Sequence, residues 1–424
     1  MTRPVDGRPS NPLLVLAGLV AVASIAMTAA QGVDVSVLAV SAAFAVFIAI
    51  GEVLRITLPG GRQAAPIASA GALAFAFMVN FGDRPMLYGA AFAVTVVTIG
   101  SVAGALPQTF FWRGLHLDEL ARRVLITGVA AVVFRSWLAP NLGAEPDPAT
   151  LALLMTLVAT CVVAMDVALA AAVRSAQSRS PFRTALVDEF RASIGLSSAV
   201  AATGVLIALT AQTMSYWALP VFVVPLLLTQ FSYRRYATID DTYKQTMRSL
   251  SKVTEVGGYT GTGHSSRVSR LTVTIGRELG ISERGLTDLE YAALMHDIGQ
   301  LSLPEPIASG ATTLVAPDVQ KRIARFGAEV IRQAGVLDLI ADIVERQADS
   351  YRNTQGVVDA SLPIGSRIIK AVNAYDDLVG ASLESDRMLQ AIERLRIGAD
   401  REYDPEVIDI MAGIIDRQIS RTYV

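Results

Sequence analysis

His264, His296 and Asp297, all in the C-terminal third of the sequence, are the residues best suited to chemistry. His296 and Asp297 are adjacent in the run Ala-Ala-Leu-Met-His-Asp-Ile-Gly from Ala292 to Gly299, and His264 precedes them in Gly-His-Ser-Ser-Arg-Val. Two imidazoles and a carboxylate can hold a divalent metal, and the chemistry that follows is activation of water for hydrolysis. A working site needs further oxygen ligands. The plainer reading of the same residues is a His-Asp hydrogen-bond network that fixes helix packing.

The elements that must position these side chains are helical. After Gly258 the sequence predicts helices over Arg267–Leu279, Leu286–Met295, Val319–Ala334, Val336–Ala348, Ile364–Val379, Asp386–Leu395 and Pro405–Ile419. Pro304, Pro306, Pro317 and Pro363 punctuate them, and no alternating strand run competes. This is an all-α bundle of roughly 165 residues, large enough to bury its own core.

The rest of the chain is of another kind. Hydrophobic residues make up 52% of the 424 and charged residues 17%, with the apolar ones crowded into the first half. The net charge of −2 argues against a nucleic-acid polymer as partner. With Cys161 the one cysteine, no disulfide or thiolate cluster forms within a chain. Apolar stretches of spanning length recur at Leu13–Ala30, Ser36–Leu54, Pro66–Phe81, Met86–Leu106, Val124–Pro140, Leu151–Val173, Ser193–Ala211 and Tyr216–Phe231. They predict a polytopic helical membrane domain of about eight spans over residues 1–235, embedded in a lipid bilayer.

Even parity puts both termini on one side. Arg3, Arg8, Arg55, Arg62, Arg113, Arg122, Arg123, Arg174, Arg179, Arg183, Arg191, Arg234 and Arg235 fall there, against Arg84, Asp34, Asp83, Glu145 and Asp147 opposite. By the positive-inside rule both termini are cytoplasmic, at the plasma (inner) membrane. Ala29-Ala30 also resembles a cleavage site, so a signal peptide competes with a start-transfer anchor for the first segment. Glu52, Arg135 and Asp166 are the ionisable groups inside the spans. Glu52 is near the cytoplasmic end and is expected to snorkel. Arg135 and Asp166 are offset by about 8 Å in depth. A structural Arg135–Asp166 pair is the first expectation and a sensory or ion-linked polar site the second. A transporter with a regulatory tail ranks last, because no repeat or paired broken helices are evident.

Residues 236–257 connect the two parts. Tyr236, Ile239, Tyr243, Thr246, Leu250 and Val253 recur at spacings of three and four, a short heptad seam that Gly257-Gly258 ends. It reads equally as a coiled coil joining two chains and as one amphipathic helix packed on its own domain.

Motifs in the C-terminal region support a family reading. Tyr259–Val268, Leu289–Pro304, the pair Arg367-Ile368-Ile369 with Ala374–Leu378, and Tyr403-Asp404-Pro405 occur in the order found in HD-GYP domains, which residues 258–424 resemble. The resemblance implies a bacterial metal-dependent phosphohydrolase that acts on cyclic di-GMP and is joined to a sensory module. It implies metal-ligand positions for His264, His296 and Asp297, with Asp297 also catalytic. Arg267 is expected, from its own guanidinium donors, to meet a phosphate. The late aspartate of the family is Asn373 here, and the lysine after His-Asp-x-Gly is Gln300, at the phosphate position. The expected further histidines are missing from Arg325-Phe326-Gly327 and from Glu345–Ala348, and the Gly-Tyr-Pro motif does not occur. The chain has 3 histidines, and His116 belongs to a membrane-domain loop. The expectation is therefore a single divalent ion (Mn, Fe or Mg) on His264, His296, Asp297 and Asn373, with Asp376 and Glu345 as substitute ligands. Function is then either a signalling module with a reduced or lost metal site or an active mononuclear phosphohydrolase.

Overall fold

The computed structural model describes residues 11–57, 63–86, 88–110, 117–142, 147–178, 181–307, 310–333 and 338–422. The chain is all-α and divides into two compact units. One comprises Met1–Gln177 and Ala185–Ile239, the other Ser178–Thr184 and Asp240–Val424.

The apolar unit contains α1 (Asn11–Gln31), α2 (Val35–Val53), α3 (Pro66–Phe77), α4 (Ala90–Phe110), α5 (Leu117–Ala131), α6 (Pro148–Ser178), α7 (Phe182–Met214) and the first part of α8 (Ala218–Val256). Among the described residues, six helical stretches are long and apolar enough to cross a membrane. This is fewer than the sequence predicted. Pro66–Phe77 is too short to count, and Phe182–Ile239 is one 58-residue stretch that takes in both α7 and the start of α8. The segment predicted as a helix to Phe81 stops at Phe77, and Asn80–Phe81 pairs instead with Arg84–Pro85 in a small antiparallel hairpin. The core lies around the wholly buried Phe44, Phe75, Phe77 and Phe134. Helix α2 crosses α4 at Gly100 and Gly104, where an added Cβ at Gly104 would stand 2.4 Å from the Ala49 carbonyl oxygen. Small residues four apart let two apolar helices approach to backbone contact.

Two expectations about charge are corrected. Glu52 does not snorkel. It is wholly buried and ion-paired to both Arg55 and Arg123, while Glu119 accepts from Arg123 at 3.2 Å. Burial of a carboxylate is tolerable where counter-charges close on it. Arg135 and Asp166 do not pair. Asp166 meets Arg122 at 3.1 Å. Arg135, on a π-helical turn Val132–Leu138, donates to the carbonyls of Tyr88 (3.0 Å), Met86 (3.3 Å), Phe75 (3.5 Å) and Met78, and lies over the Tyr88 ring. Phe75 and Met78 bracket the end of α3, whose last carbonyls have no helical partner. A cation there satisfies them and complements the helix dipole.

The second unit takes the end of α8 and adds α9 (His264–Glu278), α10 (Glu283–Met295), α11 (Pro317–Gln333), α12 (Asp338–Glu345), α13 (Ile364–Val379), α14 (Ser385–Ile397) and α15 (Pro405–Thr422). Its amphipathic helices bury one core that includes Ile275, Leu289, Ile331, Ile369 and Met411. Met247, Ser251 and Thr254 on α8 are buried, Met247 in that core. The predicted seam residues Tyr236, Ile239, Thr246, Leu250 and Val253 lie on the exposed face of the same helix. The side chain of Tyr243 is outside the described residues.

Candidate metal centre

Breaks in the helices set the site. His264 is the first residue of α9, reached through Gly263 at φ 76°. His296 caps the C-terminal end of α10, and Asp297 follows at φ −100°, ψ 3°, where the chain leaves the helix for a 3-10 turn over Ile298–Ser302. Gly299 ends the His-Asp-Ile-Gly run for a packing reason: a Cβ there would lie 1.9 Å from the Ile323 carbonyl oxygen on α11. Asn373 and Asp376 are one turn apart in α13, and both are buried.

These elements bring the predicted ligands together. Nε2 of His264 lies 3.2 Å from Nε2 of His296 and 3.1 Å from Oδ2 of Asp297, and His296 Nε2 lies 3.2 Å from the same oxygen. Ligands held about 2.1 Å from a metal at right angles stand about 3 Å apart, so the donor set has the spacing that a divalent ion requires. Asn373 Oδ1 is 3.3 Å from His296 Nε2, while its Nδ2 donates to the Thr312 hydroxyl at 2.9 Å. That anchor turns the amide oxygen toward the cluster.

Outer contacts fix both imidazoles. His264 Nδ1 donates to Asp376 Oδ2 at 2.8 Å, and His296 Nδ1 donates to the Ala293 carbonyl at 2.8 Å. Both partners only accept, so the Nδ1 protons are held and the Nε2 atoms face the cluster. Burial alone would lower the His264 pKa. Hydrogen bonds and charge from Asp297 and Asp376 outweigh it and raise it to about 10. Burial likewise pushes Asp297 up, but the charges and hydrogen bonds of His296 and His264 outweigh it and hold its carboxyl well below the usual range. A proton and a divalent cation are thus alternative occupants of the space between His264 Nε2 and Asp297.

The remaining predicted residues fall elsewhere. Arg267 forms a two-pronged pair with Asp376, each contact at 2.8 Å, and donates to the Thr262 carbonyl. Gln300 is wholly buried, with its amide nitrogen 3.4 Å from the Gly310 carbonyl. Glu345 pairs with Arg332 at 2.5 Å. Asp376 anchors His264 rather than joining the three-residue donor set. Arg135 and Asp166 belong to the apolar unit. His116 lies outside the described residues. The structure adds Thr312, Gln347, whose amide donates to the His296 carbonyl at 2.6 Å, and Asp377, which accepts from the Thr313 hydroxyl at 2.7 Å and is raised in pKa by burial. No spacing in the sequence marks these, because they come from a loop and from helices distant along the chain.

The HD domain family matches residues 249–407, the stretch that holds His264, His296 and Asp297. This part of the chain is an HD domain. The chain is also similar to curated bacterial proteins. A cyclic di-GMP phosphodiesterase response regulator, RpfG, of Xanthomonas campestris pv. campestris is 26% identical over 190 residues, 42% of this chain and 50% of that protein. A cyclic di-GMP phosphodiesterase of Thermotoga maritima is 22% identical over 206 residues, 46% of this chain and 56% of that protein. PdeB of Borreliella burgdorferi, a cyclic di-GMP phosphodiesterase, is 25% identical over 160 residues, 36% of this chain and 42% of that protein. The chain thus spans about half the length of the curated relatives it matches.

Proposed function

We propose that this chain is a membrane-anchored HD-GYP-like signalling protein that takes a cyclic dinucleotide at a reduced, single-metal site and hydrolyses it very slowly or not at all. In this reading residues 1–235 are the membrane domain, residues 236–257 the connector and residues 258–424 the HD-GYP-like domain. Both termini face the cytoplasm from the inner membrane. The observation that carries the reading is the composition of the cluster. His264, His296 and Asp297 converge on one point, the next donor is the neutral Asn373 amide, and Glu345 is turned to Arg332.

A divalent ion, when bound, supplies polarisation of a phosphate oxygen and a more acidic water. The chain's own residues do the rest. Asp376 and the Ala293 carbonyl hold the two imidazoles in the tautomer that binds, and Asp297 gives the one anionic ligand. Arg267 keeps N–H groups beyond those given to Asp376 and Thr262 for a phosphate. Gln300 is neutral and buried, so it adds no charge to neutralise one.

The convergence of three good ligands also favours a second reading, an active mononuclear phosphohydrolase. Turnover of cyclic di-GMP by the full chain in nanodiscs, with manganese, iron or magnesium, separates the two. The expected result is turnover at or near background in both the native chain and Asp297→Ala. Robust metal-dependent turnover that vanishes in Asp297→Ala would establish the second reading. The connector is proposed to pair two chains through the exposed Ile239–Leu250 face. Cysteines at Ile239 or Leu250 should crosslink in membranes and one at Lys252 should not. Equal yields at all three would remove the seam.

A further inference from the structure

Asp376 anchors His264, and it also lines a cleft of about 420 Å³ between α9, α13, α14 and α15. That volume lies within the range of small-molecule sites. The cleft has two kinds of wall. Leu271, Val379, Met388 and Ile414 are apolar, while Arg267 and Arg270 stand together on α9. Asp376 is the one carboxylate among the lining residues, and it is already engaged by both His264 and Arg267. Arg270 donates through Nε to the Ser266 carbonyl and has no carboxylate partner among the described residues. The cleft therefore carries more positive charge than its own residues balance, beside an apolar floor.

We propose that this cleft binds a small organic anion, a carboxylate or phosphate head on an apolar body, with the head on Arg270 and Arg267. The body takes the place of water against Leu271, Met388 and Ile414, which is favourable in proportion to the apolar area covered. The head competes with Asp376 for Arg267. Asp376 is also the acceptor that orients His264, so occupancy of the cleft changes how firmly that imidazole is held. By linkage, any change at His264 is felt in the cleft to the same degree. The assignment of the cleft does not depend on whether the imidazole cluster holds a metal.

The test is a fluorine NMR titration of the full chain in phosphatidylcholine nanodiscs. The probes are 4-(trifluoromethyl)benzoate and 4-(trifluoromethyl)phenyl phosphate, with 4-(trifluoromethyl)benzamide as the uncharged control. Saturable binding of at least one anion, tenfold or more tighter than the amide, is expected. Arg270→Gln should weaken it at least tenfold, Arg270→Lys should weaken it less, and Ile414→Trp should abolish it by filling the cleft. Asp376→Asn should tighten it at least threefold by releasing Arg267. The proposal is overturned if neither anion saturates, if the amide binds as well, or if Arg270→Gln and Ile414→Trp leave binding unchanged while thermal unfolding stays as in the native chain. Anion binding that Asp376→Asn does not tighten overturns the competition for Arg267.

Discussion

In the apolar unit Glu52 is wholly buried between Arg55 and Arg123, Glu119 closes on Arg123, and Arg122 meets Asp166. In the HD domain the buried His264, His296 and Asp297 turn their ring nitrogens and carboxylate oxygen toward one shared point, with no arginine in that donor set. Both clusters remove charge from water. The first matches each carboxylate with a guanidinium, which is how a buried charge becomes tolerable. The second gathers electron-pair donors and matches them only with protons or with a cation. Burial of charge is therefore not itself a sign of a site. What distinguishes the two is whether the counter-charge is built into the chain.

That contrast breaks most sharply at Glu52. Glu52→Leu takes one of two carboxylates from the buried Arg123 and leaves it only Glu119, which should cost up to about 3–5 kcal/mol of stability, and the double variant Glu52→Leu with Arg123→Leu should recover much of it. Thermal unfolding of the full chain in nanodiscs, followed by helical circular dichroism, reads both. A double variant less stable than Glu52→Leu would show that the ion pair is not what holds this region.

A smaller effect is expected one layer out from the donors. Asp376→Asn keeps the shape but weakens the anchor on His264, and metal affinity should fall by about 10–100-fold. Manganese titration monitored by electron paramagnetic resonance measures it. An affinity that does not move would place Asp376 outside the support of the cluster.

The smallest effect belongs to the exposed pairs. Glu345→Gln removes one of the two carboxylate partners of Arg332 and leaves Asp342, so stability should change by no more than about 0.5 kcal/mol, with metal affinity unaltered. Loss of metal in this variant would return Glu345 to the ligand set.

Much of the architecture was legible because helix periodicity and apolar length survive in the sequence. Predicted Ile364–Val379 and observed α13 coincide. The failures have physical causes. Residues 78–81, Met-Val-Asn-Phe, are apolar enough to continue α3, but Gly82-Asp83 folds them into a hairpin. Helix α5 begins at Leu117, before the predicted Val124, because Asp118 and Glu119 suit a helix N-terminus and Arg122 and Arg123 find buried carboxylates. Motifs named His264, His296, Asp297 and Asn373, yet nothing in the spacing could show that Asp376, 112 positions from His264, would hold its ring. Pairing of Arg135 with Asp166 failed for a related reason. Depth along a helix says nothing of azimuth, and backbone carbonyls at the end of α3 are acceptors that a sequence does not display.

The central claim is that the HD domain keeps the donors for one metal and no more. It is tested most directly by the metal content of the full chain, loaded with manganese, iron or magnesium, passed through gel filtration and measured by inductively coupled plasma mass spectrometry. At most one ion per chain is predicted. His296→Ala and Asp297→Ala should remove it, and Asn373→Asp should hold it more tightly by supplying a second anionic ligand. Two or more ions per native chain, or one ion that survives both alanine variants, would contradict the account.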